Sequence, residues 1–242
     1  MPLLSFGDFE LRRRPWPIIA AIAGIVLTAA LGNWQLNRAA EKQALHNRYL
    51  ELSRQPPVRL GAHDTRPEDI ALRRVEVRGR FDPEHMIFLD NRIHNRLPGY
   101  HVVMPVRISG TSRYVLVNRG WIAATRERAS PPRVRTPPGE VVVQGIATRP
   151  SDRYLELSVD VVEGRVWQNL TLERYRDAMR LDVLPVVILQ DDNAEDGLVR
   201  EWPAPDYGRN THLAYAFQWF ALAIAIALYY LVTNVRRRAK TG

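Results

Sequence analysis

Two uncharged apolar stretches near the chain ends and a middle rich in Val, Ile and aromatic residues predict an α+β protein. Two transmembrane helices, N- and C-terminal, would flank a mainly antiparallel β extracytoplasmic domain. The third observation is charge placement. Arg12, Arg13 and Arg14 precede the first stretch, and Arg236, Arg237, Arg238 and Lys240 follow the second. By the positive-inside rule both termini are cytoplasmic. The expected divisions are a cytoplasmic tail over 1–14, a span over 15–36, a periplasmic α+β domain over 37–210, a span over 211–233 and a cytoplasmic tail over 234–242.

The chain has 242 residues, a net charge of +8, no cysteine and a mean hydropathy of −0.26. The hydropathy excludes a many-span transporter. The missing cysteine excludes disulfides, thiolate metal centres, iron–sulfur clusters and covalent haem through C-x-x-C-H. The basic balance comes without an RNP-like or helix-turn-helix pattern, so nucleic acid is not an expected partner. The middle segment is basic too, but a segment much longer than about 60 residues translocates largely regardless of charge.

The first stretch, PWPIIAAIAGIVLTAALGNWQL, covers 15–36. A cleaved leader would show the same order of basic, apolar and small residues. The apolar run of about 20 exceeds a leader core of roughly 7–15, and Trp34 marks an interface, so a retained span is expected. No Arg/Ser-rich transit segment precedes it, which favours a bacterial chain. Ala20, Gly24, Thr28 and Gly32 recur at four-residue steps, the pattern of close span-to-span packing. The helix should continue through NRAAEKQALHNRYLELSRQ and stop before Pro56 and Pro57.

In the middle domain strands are expected over 74–81, 85–91, 100–108, 114–122, 140–147, 164–170 and 185–190. An amphipathic helix fits 171–181, with Leu172, Tyr175 and Met179 on one side. Short strands in series suggest an antiparallel sheet or small barrel. Residues 129–140, ASPPRVRTPPGE, read as a proline-rich loop. DDNAEDG from Asp191 lacks the glycine position and the closing glutamate of a calcium loop, and reads as a solvated acidic loop. Histidines 46, 63, 85, 94 and 101 show no ligand spacing, although 85, 94 and 101 could converge. No phosphate loop, dinucleotide fingerprint, zinc-protease or serine-hydrolase motif is present, and no enzyme activity is expected.

The NRGW run at 118–121 closes a strand. Gly120 would take a positive φ there with Trp121 on the sheet, or Arg119 would be fixed to meet a partner or acidic ligand. At the front of the last stretch stands His212. From His212 to Arg236 is 24 helical steps, roughly 36 Å, so the two lie at opposite membrane faces. A polar residue at a span end often serves only as anchor or cap. Here Tyr215 and Trp219 share its face at i+3 and i+7, and Gln218 lies within the span. From Arg14 to Gln35 is 21 steps, roughly 31 Å, which brings Trp34, Gln35 and Arg38 to the same depth as His212. Imidazole, aromatic walls and a rim arginine suit haem, with His212 on the iron and arginine on the propionates.

Four stretches in order, GNWQLNRAAEK at 32–42, LPGYHVVMPV at 97–106, VLVNRGWI at 115–122 and HLAYAFQWFALA at 212–223, resemble the surfeit-locus (Shy) family of cytochrome c oxidase assembly factors. VWQNLTLERY is similar to the family as well, and the 129–140 loop departs most. The resemblance covers the whole chain. It implies a non-enzymatic inner-membrane chaperone with two spans, acting with oxidase subunit I and linked to delivery or insertion of haem a. A haem a synthase is a further implied partner. The family's haem-linked histidine falls on His212. The cofactor-binding set is then His212, Tyr215, Trp219, Arg38, Trp34 and Gln35, and His212 is the sole metal ligand, to haem iron. Asn118, Arg119, Gly120 and Trp121, with Gly99 and Tyr100, stand as candidate partner-binding residues. A haem-free scaffold for subunit I is the alternative, and a membrane-anchored hydrolase is the third reading.

Overall fold

A computed structural model describes residues 5–6, 9–11, 15–61, 66–125, 131–150 and 162–237. Arg12, Arg13, Arg14, His63, Ala129, Ser130, Arg238 and Lys240, all used in the sequence reading, lie outside the described residues. In chain order the elements are β1 (Ser5–Phe6), β2 (Phe9–Leu11), α1 (Pro15–Arg54), β3 (Val58–Leu60), α2 (Pro67–Ile70), β4 (Arg74–Phe81), β5 (Ile87–His94), β6 (Leu97–Ile108), β7 (Tyr114–Ala123), β8 (Val141–Thr148), β9 (Val162–Glu163), β10 (Val166–Trp167), α3 (Leu172–Met179), β11 (Val183–Gln190), α4 (Arg209–Asn234) and β12 (Val235–Arg237). They form two compact units, one of Met1–Arg48 with Pro205–Gly242 and one of Tyr49–Ala204.

The first unit holds the apolar helices. α1 tolerates Pro15 and Pro17 because first-turn amides need no partner. It then runs unbroken to Arg54, where the two following prolines stop it. Both helices are long and apolar enough to cross a membrane, and only 11% of the apolar window of each is buried. That exposure separates them from the core helices of a soluble protein. β2 pairs antiparallel with both β1 and β12, so a three-stranded sheet joins the two ends of the chain.

The second unit is a closed barrel. β4, β8, β11, β7 and β6 pair in that order, and β4 pairs back onto β6. β5 extends the sheet from β6, with β10 and β9 beyond it, and β3 lies beside β4. The small barrel matches the sequence reading, but the mainly antiparallel sheet does not. β3–β4, β10–β5 and β11–β7 are parallel, so the sheet is mixed. A parallel pair needs a long crossover. The segment holding β8, β9, β10 and α3 supplies it between β7 and β11. Strand-like composition carries no information about which strands such a crossover will join.

Two cores result. Val75, Val77, Tyr100, Val102, Met104, Val106, Val115, Val117, Val143, Val186 and Ile188 fill one inside the barrel. Ile87, Leu89, Val103, Leu116 and Val187 face the other way and pack with Trp167, Leu172 and Tyr175, under α3. β7 is therefore buried on both faces, as its run of apolar residues requires. The expected strand at 164–170 shrinks to β10, and α3 is capped by the Thr171 hydroxyl, which accepts from the Arg174 amide.

Candidate functional site

In the helical unit, Gly24 lies against Ile226, Gly32 against Phe220, and Gln35 meets His212. Positions rise along α1 as they fall along α4, so the helices run antiparallel. A Cβ added to Gly32 would sit 2.9 Å from the Phe220 ring, and one on Gly24 would sit 3.3 Å from Ile226 Cδ1. The contact face differs from the expected four-step stripe. Thr28, Gly32, Gln35 and Ala39 are buried at steps of 4, 3 and 4, and Ala216 and Ala223 are buried on α4. Ala20 is exposed and falls off the seam. Those steps average about 3.7, close to the 3.6 residues per turn of a straight helix, so the buried row stays on one face, which a pure four-step row would leave.

His212 lies in the first turn of α4. Its Nδ1 is 2.7 Å from Oε1 of the buried Gln35. Since that amide oxygen only accepts, Nδ1 carries the proton and donates. Nε2 of the neutral ring is then the nitrogen with a free lone pair. A metal-ligating histidine is held in just this way, its other N–H given to a carbonyl group. The imidazole thus fits an iron ligand. Of its expected companions, Trp219 is half-buried, whereas Tyr215 is 49% and Trp34 54% exposed. Gln218 is exposed. Arg38 is tied to Glu41 on its own helix at 2.6 Å, both side chains about half exposed. Such a surface pair opens at little cost. In the same unit, the rings of His46 and Tyr207 meet edge to face at 6.4 Å. The structure thus unites His212 with Gln35 and leaves Trp34, Tyr215 and Arg38 outward or engaged nearby.

In the barrel unit, NRGW lies within β7 and does not close it: the strand runs on to Ala123, and Gly120, at φ 140°, sits where the β6–β7 register shifts. A side chain there would strike the Val199 carbonyl and Leu198, whose segment pairs with Trp121 through bonds of 2.7 and 2.9 Å. Arg119 is 1% exposed and turns into the barrel core. Its guanidinium stacks 4.6 Å over Phe81, donates to the Arg135 carbonyl and Thr136 Oγ1, and pairs with Asp196 at 2.7 Å. Asp196 also accepts from Arg200 at 2.5 Å. Burial pushes the Asp196 carboxyl up, but the hydrogen bonds from Arg200 and the Leu198 amide and the two positive charges together hold it below the usual range. The acidic loop is therefore not simply solvated, because Asp196 has left water to neutralise two arginines. The 129–140 loop takes part too, through Arg135, Thr136 and Val134 on the barrel core.

The remaining residues of this set are buried. Tyr100 packs on Phe88, and Gly99 lies so close to the Ile122 carbonyl and the Trp121 ring that no larger residue fits. Asn118 meets His101, and Trp121 donates to the Arg92 carbonyl at 2.7 Å. His94 and His101 converge, whereas His85 is held apart by Asp82 at 2.8 Å. Arg92, Trp202 and Asp196 were not singled out by sequence. Arginine in a strand and acid in a loop have no spacing signature, and only the Pro–Gly punctuation near Trp202 hinted at a chain returning to the sheet.

The fold and the seam define a class: two antiparallel apolar helices with a mixed β-barrel inserted between them in sequence, and a histidine fixed by a glutamine on the facing helix. The chain belongs to the SURF1 family, whose model matches residues 22–224. A SURF1-like protein of Rickettsia bellii is 24% identical over 221 residues, 88% of this chain and 89% of the relative. A SURF1-like protein of Monosiga brevicollis is 28% identical over 226 residues, covering 84% and 82%. Surfeit locus protein 1 of Mus musculus is 25% identical over 223 residues, covering 86% and 72%.

Proposed function

We propose that this protein is an inner-membrane assembly factor for cytochrome c oxidase that binds haem a at His212 and aids its insertion into subunit I. It acts by binding and release, not by catalysis. The observation that carries the reading is the His212–Gln35 hydrogen bond. Haem, when bound, supplies an iron that takes an imidazole nitrogen. Gln35 fixes the tautomer and holds the ring, leaving Nε2 as the ligand atom. Trp219 and Tyr215 give apolar walls on the same helical face. Arg38, released from its exposed pair with Glu41, meets a propionate. Apolar side chains such as Ile19, Ile22, Val26, Ile224 and Val232 point outward from the helices, which suits lipid and would be costly in water. Both spans are placed in a bacterial inner membrane, with both termini cytoplasmic and the barrel periplasmic.

The same hydrogen bond also favours a second reading, since a polar bridge between spans locks them together whether or not haem is present. The protein would then be a scaffold that steadies subunit I. Purification from cells that make haem a separates the two. His212→Ala should remain folded and inserted, yet lose most of the haem absorption and lower oxidase yield. Arg38→Ala should lose less. Parent protein that carries no haem supports the scaffold, whereas an unchanged spectrum in His212→Ala, or haem retained equally by residues 37–210 alone, puts the ligand elsewhere than His212.

A further inference from the structure

A cavity of about 640 Å³ opens in the barrel unit between the β5–β6 hairpin and the segment that follows Leu198. Its lining combines Arg92, His94, His101, Trp121, Glu201 and Trp202. The rings are paired along its wall. His94 lies 5.1 Å from Trp121, and His101 lies 5.3 Å from Trp202, edge to face. Both indole N–H groups are spent on backbone carbonyls, Trp121 on Arg92 and Trp202 on Gln190, so the indoles are held in place with their N–H donors already used.

The polar groups are not in balance. Arg92 has no carboxylate partner among the described residues, and its Nε is buried without a hydrogen bond. The lining acid, Glu201, is 75% exposed and 3.8 Å from His94. Asn118 Nδ2 lies 3.3 Å from His101 Nδ1, while the buried Asn118 Oδ1 makes no hydrogen bond. With Nδ1 accepting, the neutral ring carries its proton on Nε2 as a second donor. Arg92 as a whole is half-buried, so the cavity is lined by a positive charge with no carboxylate beside it. Burial, and then the Arg92 charge, push the His101 imidazole down to about 4. The wall thus keeps one permanent positive charge and refuses a second.

We infer that this cavity binds a small flat-ring carboxylate, with the carboxylate on Arg92 and the ring against Trp121 and Trp202. Its volume lies in the range of small-molecule sites, about 300–1,000 Å³. A carboxylate meets a guanidinium through charge-assisted bonds, and aromatic walls accept a flat ring. A cationic ligand is disfavoured by Arg92. This site lies wholly within the barrel unit and does not depend on haem at His212.

The test titrates the full-length protein in detergent, against a detergent blank, with 2-naphthoate and with neutral 2-naphthamide. Calorimetry gives the affinity. Saturable binding of naphthoate is expected, with naphthamide weaker by at least about ten-fold. Arg92→Gln should lose a similar factor while keeping the thermal transition of the parent, because Arg92 is not part of a core ion pair. Arg107→Gln, elsewhere on the barrel, should change nothing. Equal affinity for acid and amide, full affinity in Arg92→Gln, or no saturable binding at millimolar naphthoate would each overturn the site.

Discussion

Asp196 settles the charge of the barrel core. It faces Arg119, which is 1% exposed, and Arg200, so removing its charge strands two guanidinium groups. Breaking one side of a buried pair costs about 3–5 kcal/mol. Asp196→Asn should therefore lower the unfolding midpoint strongly without touching the helical unit. Acid should act in two windows. His101 stays neutral when folded down to about 4, while the unfolded ring takes a proton near pH 6.5, so stability falls as pH drops from about 6.5 to 4. Asp196 has a depressed folded value, so its contribution is complete above about 3.9 and is lost below that as it protonates. Thermal melts from pH 7.5 to 3 should show both steps, and His101→Gln should flatten the first. The positive φ of Gly120 was legible in the sequence, but not that NRGW would lie inside β7 against Leu198 and Val199. Asp196 was not, since an acidic loop looks the same whether water or a buried arginine receives its charge.

Elements of about eight residues were legible because their side chains sample both faces of the sheet. β4, β7, β8 and β11 lie close to their expected bounds. β3, β9 and β10, at two or three residues, are too short to carry a pattern. The β5–β6 turn was missed for another reason. Asn95 and Arg96 both take positive φ, 49° and 65°, where a turn of this kind usually announces itself with glycine. In the helices, the small-residue row was visible, but which of its members are buried depends on the partner helix. That seam makes a graded prediction. Gly32→Ala should separate α1 and α4 more than Gly24→Ala. The former meets the face of an aromatic ring at 2.9 Å, the latter the mobile end of an isoleucine at 3.3 Å. Crosslinking between cysteines placed at Gln35 and His212 should fall in Gly32→Ala and persist in Gly24→Ala.

At the scale of the whole chain, the division into terminal helices and a central β unit was legible, because apolar length and β-rich composition occupy separate stretches. The parallel β7–β11 pairing was not, since it is decided by packing across some sixty intervening residues. The proposed topology is tested by fusing a reporter active only outside the cytoplasm. Activity is expected after residue 130 and silence after Gly242, and the reverse would place the barrel in the cytoplasm.

β12 lies beside β2, with Arg236 opposite Glu10. Neighbouring strands are about 4.8 Å apart, so the backbone returns almost to its starting point. The chain is in effect a ring fastened at one clasp, with everything from the first helix to the last contained in its circumference. The entropy of closing such a ring grows only with the logarithm of its length, and doubling it would cost about 0.6 kcal/mol more. Lengthening or shortening a barrel loop such as 129–140 therefore costs the clasp little.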